Sequence, residues 1–109
     1  MVWGPETKRV LIRGIGPALT GFGVTGALVD PVLSLLNGST TVATNDNWST
    51  QANAADIVTA TAQAGGFALA SGSRDAVLLV TLAPGAYTVQ LAGVGGTTGV
   101  GLIEAYELP

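Results

Sequence analysis

The chain has 109 residues, of which only 10% are charged, with a net charge of −3 and a mean hydropathy of +0.51. A chain of this length forms one domain, and its four basic residues are too few to follow a phosphate backbone, which excludes nucleic-acid binding. Cysteine and histidine are absent, which excludes disulfides, thiolate metal sites and histidine-dependent catalysis. Such a neutral surface lacks the charge repulsion that keeps domains apart, so the composition favours self-association.

No apolar run approaches the roughly 20 residues that span a bilayer, so we expect no membrane insertion. The first ten residues, MVWGPETKRV, lack the basic and apolar regions of a signal peptide, so any export signal lies upstream. We expect residues 1–7 to form an N-terminal arm and residues 8–109 a single domain. Trp3 in the arm either packs on its own domain, the commoner arrangement, or anchors a neighbouring copy.

Short segments with β-type patterns follow one another along the chain, separated by turns rich in glycine, proline and asparagine. Glycines crowd residues 14–30, which predicts a long ordered loop. The Asn37-Gly38 pair predicts a hairpin, since both residues tolerate positive φ. The predicted strands span residues 8–14, 31–37, 40–45, 67–70, 77–82, 87–91 and 99–108.

The segment from Ser49 to Gly65 is rich in alanine and predicts one short helix around residues 50–64. Ser49 or Asn53 would be its N-cap, and Gly65 would end it.

Residues 75–93 carry the clearest strand pattern, and we predict that they form the central strand pair. The first run is apolar on nearly both sides, which is typical of a strand deep in a sheet, and the second alternates as a half-exposed strand does. Pro84 and Gly85 suit a type II turn, which twists the wrong way for a tight hairpin. The link is therefore either a wider hairpin or a corner between sheets, with the Tyr87 hydroxyl bonded to the backbone.

Roughly eight short strands with one helix predict an all-β fold. The fold class expected is an antiparallel β-sandwich of jelly-roll or immunoglobulin-like type.

Two segments, DPVLSLLNGSTTVATNDNW and LLVTLAPGAYTVQLAGVGGTTGVGLIEAYEL, resemble the bacterial pre-peptidase C-terminal domain and similar β-sandwich modules. The opening RVLIRGIGPALTGFGVTGALVDP is similar to a repeated module of long bacterial surface proteins. The resemblance implies a non-catalytic domain of an exported protein, located outside the cell or on its surface. Such domains serve in secretion, anchoring, binding or spacing.

A cluster of oxygen-bearing side chains, Asn45, Asp46 and Asn47, is the best candidate for a metal site. Calcium takes six to eight oxygen ligands, and a fourth ligand such as Asp75 would have to come near through the fold. Nothing in the sequence indicates that the protein requires a cofactor, and calcium is the one candidate for an optional ligand. The simpler interpretation is that Asn45 and Asp46 cap a turn.

Trp48 beside these amides is a candidate for stacking on a sugar ring or for self-association, although packing in the core is the commoner fate of a tryptophan. The scarce charges suggest two ion pairs, Arg13 with Glu104 and Arg74 with Asp75.

These observations lead to a first hypothesis, a non-enzymatic structural module of an exported bacterial protein that acts as a spacer, in adhesion or as a self-assembling subunit. Its partners would be other copies or neighbouring domains. The alternative is an accessory domain that binds Ca²⁺ or a glycan near Asn45 to Trp48. An enzyme with a carboxylate pair such as Asp46 and Asp75 is the least favoured.

Overall fold

A computed structural model describes residues 6–70 and 72–108 of the chain. The described residues form six β-strands, one α-helix and three short 3-10 helices. No helix among them has the length and apolar character needed to cross a membrane. The elements in chain order are β1 (Lys8–Ile15), a 3-10 helix (Pro17–Phe22), β2 (Pro31–Asn37), β3 (Thr40–Asn45), a 3-10 turn (Trp48–Thr50), α1 (Ala54–Ala64), β4 (Ala76–Leu82), β5 (Thr88–Gly93), a 3-10 turn (Val94–Gly96) and β6 (Leu102–Glu107).

The strands form two antiparallel sheets of three strands each, in the orders β4-β1-β6 and β3-β2-β5. The mostly-β class with one short helix is therefore confirmed. The central strands are β1 and β2, each paired on both sides, and the outer four strands each have one unpaired edge within the described residues.

The core has two parts, which lie on opposite faces of the first sheet. Ile12 and Leu78 from this sheet pack with Leu33 and Leu35 of the second sheet, so the two sheets face each other. On the other face, Leu11 and Val77 pack with Trp48 and with Ile57 and Ala60 of α1. Alternation along β1 and β4 sends successive side chains into the two parts of the core.

The hairpin between β2 and β3 confirms the turn predicted at Asn37-Gly38. The two-residue loop is Gly38-Ser39, since Asn37 pairs with Thr40. Gly38 has a φ of 63° and Ser39 does not have a positive φ. This is the pattern of a type II′ turn, which places glycine at the first loop position and follows the twist of the strands.

The helix lies within the predicted segment. Asn53 occupies its N-cap position, and Gly65 ends it with a φ of 76°, donating its N–H to the carbonyl of Ala62. A residue with a side chain would be strained at that φ, so glycine fixes the C-terminus of the helix.

The expected central pair at residues 75–93 is wrong, because β4 and β5 lie in different sheets and each is an outer strand. The link is the corner between sheets, and the Tyr87 hydroxyl donates to the Ala83 carbonyl at 2.7 Å. Strand β4 is apolar on both sides because α1 covers one face and the second sheet covers the other. Burial on both faces does not require a central position in the sheet.

The strand predicted at residues 67–70 is also wrong, since this segment has no regular structure. The Phe67 carbonyl accepts a hydrogen bond from Arg13 Nη1 at 2.6 Å, and the Ala70 carbonyl accepts one from Trp48 Nε1 at 3.2 Å. These backbone groups bond buried side chains rather than a neighbouring strand, and so satisfy polar atoms that would otherwise lie unpaired in the core.

Candidate functional site

Asp75 is fully buried just before β4, where its carboxylate accepts hydrogen bonds from three groups. The backbone N–H groups of Gly16 and Ala18 donate to Oδ1 at 2.7 and 3.2 Å, and the Ser73 hydroxyl donates to Oδ2. These bonds tie the loop after β1 to the start of β4, about sixty residues later in the chain. Both carboxylate oxygens therefore already serve a structural purpose.

A cavity of about 170 Å³ adjoins this carboxylate and is lined by Pro17, Ala18, Ala70, Ser73 and Asp75. Catalysis by Ser73 would require a base and an oxyanion site beside it. The Ser73 hydroxyl instead donates to Asp75, and its oxygen accepts the Asp75 N–H at 3.0 Å. The arrangement is a local turn that orients the carboxylate toward the backbone.

Asn45 is buried at the end of β3, and its amide is bonded on both sides. Its Oδ1 accepts the Val77 N–H at 3.0 Å, and its Nδ2 donates to the Asn47 carbonyl at 3.2 Å. Asn45 thus joins the second sheet to β4 of the first sheet and holds the turn that follows β3.

Asp46 is exposed at this turn and accepts a hydrogen bond from Asn47 Nδ2 at 3.3 Å. The Trp48 N–H donates to the Asp75 carbonyl at 3.0 Å, so the fold does bring the Asn45–Trp48 segment beside Asp75. The Asp75 carboxylate, however, bonds to the Gly16 side. Within the described residues no group of three acidic, histidine or cysteine side chains could hold a metal, and calcium binding stays a prediction.

Trp48 is 5% exposed and packs between α1 and the first sheet. Its indole N–H is bonded to the Ala70 carbonyl, and it lines a cavity of only about 50 Å³ with Ile57, Val58 and Leu69. Stacking on a sugar requires an exposed ring face. This arrangement does not present one, so the structure supports the core interpretation of Trp48. Trp3, the other residue predicted for self-association, lies outside the described residues.

Arg13 forms the ion pair predicted with Glu104, at 2.9 Å between Nε and Oε1, but its full burial is not evident from the sequence. Its guanidinium lies 4.3 Å from the centre of the Phe67 ring. A Cβ on Gly66 would come within 2.8 Å of Nη1, so glycine leaves room for the cation. In the sequence, the spacing of two residues places Arg13 on the same strand face as the apolar residues Leu11 and Ile15, both of which are buried.

Glu104 also accepts a hydrogen bond from the Tyr106 hydroxyl at 3.0 Å. Burial of Tyr106, together with the hydrogen bond and the negative charge of Glu104, raises the pKa of this phenol above its ordinary value of 10.0. Arg74 and Asp75, the second predicted ion pair, do not form a salt bridge in the described part of the chain.

The outer strands carry very little charge. β3, β4 and β5 contain no Lys, Arg, Asp or Glu, and β6 contains two glutamates. Large apolar side chains are exposed on two of these strands, at Val42 on β3 and at Leu102 and Ile103 on β6. Natural sheets usually protect open edges with charges or proline, because unpaired backbone groups invite another strand.

An open cavity of about 340 Å³ lies along β5 and the loop that follows it, and no charged residue lines it.

Comparison with protein-family models, curated proteins and solved structures gives no match to this chain, so its function is inferred from its own geometry.

Proposed function

We propose that the chain is a non-enzymatic structural module of an exported bacterial protein and that it self-associates through its strand edges. The observation that carries this proposal is the row of open, nearly uncharged strand edges with exposed apolar side chains. An unpaired edge can bond a strand of another copy, and the low charge of the chain opposes this association very little.

The buried polar side chains give a second line of support. Four buried side chains each form a hydrogen bond with a backbone group of a distant segment: Asp75, Asn45, Arg13 and Trp48. Catalytic side chains need donor or acceptor atoms that are free to reach a substrate. These four side chains use theirs to hold loops and sheets together, as expected of a structural domain.

We further propose that the two facing sheets form a β-sandwich related to the pre-peptidase C-terminal module, of jelly-roll or immunoglobulin-like type. The shared core between the sheets supports the sandwich, and the Tyr87 hydroxyl bond at the corner between β4 and β5 resembles the braced corners of such folds. The resemblance to exported modules and the neutral surface support a location outside the cell or at its surface.

The positions of the strand ends favour self-assembly over a spacer role. β1 begins and β6 ends side by side, since Val10 pairs with Glu107 and the Leu108 N–H donates to the Arg9 carbonyl at 2.8 Å. Segments before β1 and after β6 in a longer protein would therefore leave the domain at the same end. A domain attached this way projects sideways and adds little length to a stalk.

Sedimentation of the purified chain from micromolar to millimolar concentration tests the proposal. We expect a mass of 10.8 kDa at low concentration that rises reversibly with concentration, and electron microscopy should show whether the assemblies are closed or extended. A chain that stays monomeric over the whole range would contradict self-association.

A further inference from the structure

We infer that a second copy of this chain docks along the side of the molecule formed by β5 and β6, with β6 of one copy pairing antiparallel to β6 of the other. This inference rests on the proposed self-association and specifies where it occurs.

The inner face of the first sheet is covered at one edge and open at the other. On β1, Ile12 pairs with Leu78 of β4 and with Ala105 of β6, so all three side chains point toward the second sheet. Leu78 is 3% exposed. Ile103, on the same face of β6, is 43% exposed. The core is therefore closed along β4 and uncovered along β6.

The second sheet shows the same difference between its edges. Leu33 and Leu35 on β2 are buried, whereas their partners Leu91 and Val89 on β5 are only half-buried. At the opposite edge, β3 packs against β4. The inner faces of β5 and β6 are thus less covered than those of β3 and β4. They lie on the same side of the molecule, where the Leu91 side chain packs over Gly14 and Gly101, and we call this apolar surface the open side.

The charges on β6 permit two copies to meet there. Glu104 is paired with Arg13, and Glu107 is paired with Lys8 at 3.4 Å, so both carboxylates are neutralised within their own sheet. The facing β5 strand carries no charge. Two copies of the open side would therefore meet without net repulsion, and a strongly charged partner would find no complementary charge.

Two-fold symmetry matches this surface. Rotation about an axis normal to the sheets places β6 beside β6 and β5 beside β5 of the second copy, antiparallel in both layers. Each three-stranded sheet then becomes a six-stranded one, and the inner faces of both copies form a continuous core. The interface uses the same surface on both copies and closes as a dimer.

The size of the open side sets the strength of the contact. A six-residue strand is about 20 Å long and two packed sheets lie about 10 Å apart, so the two edges offer each copy roughly 200 Å² of contact. Stable complexes bury about 800 Å² per partner. The dimer of free chains is therefore weak and forms at high concentration, and tethering copies in one longer protein would strengthen it.

Single-cysteine variants locate the contact, because the chain contains no cysteine of its own. We expect Ala105→Cys, at the middle of β6 and exposed on its inner face, to cross-link into a dimer when oxidised at millimolar concentration, because the two-fold axis brings the centres of the two β6 strands together. Val42→Cys, on the exposed edge of β3, is the matched control and should remain monomeric. Preferential cross-linking through Val42→Cys would overturn the inference.

Lysine variants test the energy of the same contact. Ile103→Lys should weaken dimerisation at least tenfold in sedimentation, while Val42→Lys should leave it unchanged. Thermal melting of both variants checks that they fold. Dimerisation lost through Val42→Lys and retained in Ile103→Lys would overturn this docking site while leaving self-association intact. A wild-type chain that never associates would overturn both. If Ile103→Lys does not fold, the cross-linking result decides.

Discussion

The Asp75 carboxylate joins two segments that lie far apart in the chain. It is fully buried, and it accepts the N–H groups of Gly16 and Ala18. A buried carboxylate is stable only when its oxygens accept hydrogen bonds in this way. Asp75, which the sequence suggested as a fourth metal ligand, therefore holds the loop after β1 against the start of β4.

We predict that Asp75→Ala lowers the free energy of unfolding by about 2–5 kcal/mol, since the buried N–H of Gly16 and the partly buried N–H of Ala18 lose their acceptor. Urea denaturation measures the change. Asp46→Asn, at an exposed position, is the control and should change stability by no more than about 0.5 kcal/mol. Equal effects of the two substitutions would show that Asp75 is not the anchor.

Removal of calcium should leave the melting temperature unchanged. Asn45 Oδ1 is occupied by the Val77 N–H, and both Asp75 oxygens already accept hydrogen bonds, so few free oxygens are left for a cation. Thermal melting in EDTA and in millimolar calcium makes the comparison. A clear rise in melting temperature with calcium would support the accessory-domain alternative instead.

We predict that Tyr106 makes the protein lose stability at alkaline pH. Its folded-state pKa is raised, first by burial and then by Glu104, so folding favours the protonated phenol. The resulting stability is complete below the ordinary pKa of about 10 and is lost as the pH rises through the folded-state pKa. Urea denaturation between about pH 8 and about pH 11 should show a steeper loss in the wild type than in Tyr106→Phe. Parallel losses would contradict this assignment.

At the scale of elements, α1 is a cover for the outer face of the first sheet. Its buried residues Ile57, Ala60 and Thr61 follow the spacing of one helical face, and they lie over Leu11 and Val77. The helix allows a strand at the edge of its sheet to be apolar on both sides.

We predict that Ile57→Ala destabilises the fold by about 2–5 kcal/mol, because it leaves a cavity under the helix. Val58→Ala, one residue further along and 57% exposed, should change stability by no more than about 0.5 kcal/mol. Differential scanning calorimetry of both variants measures the contrast. Similar losses would mean that the helix packs through a different face.

At the scale of the whole molecule, the scarcity of charge governs how copies meet. With 10% charged residues and both β6 glutamates already paired, charge steering contributes little to association. Contact between copies is then driven mainly by apolar surface and by backbone hydrogen bonds.

The proposed dimerisation should therefore persist in salt. Raising sodium chloride to about 0.5 M shortens the reach of charges to a few ångströms but leaves apolar contacts intact. Sedimentation equilibrium at low and high salt should give association constants that agree within about threefold. A tenfold weakening in high salt would instead indicate an electrostatic contact.

Local patterns were enough to predict much of the fold. The alternation at residues 8–14, the Asn37-Gly38 turn and the alanine-rich run ending at Gly65 each depend on neighbouring residues, and the structure has a strand, a hairpin and a helix there. The failures at residues 67–70 and 75–93 concern partners distant in the chain. A strand pattern does not specify which strand, or which buried side chain, will use its backbone groups.

The sequence by itself determined the mostly-β class, the position of the helix, the absence of histidine and cysteine chemistry, and the neutral surface, because composition and local periodicity are properties of the chain alone. Only the tertiary structure decided the roles of the polar residues. Asp75 and Asn45 became anchors, Arg13 became buried, and Ile103 was left exposed at an open edge. The reason is that burial and hydrogen-bond partners come from segments many residues apart, which meet only when the two sheets pack.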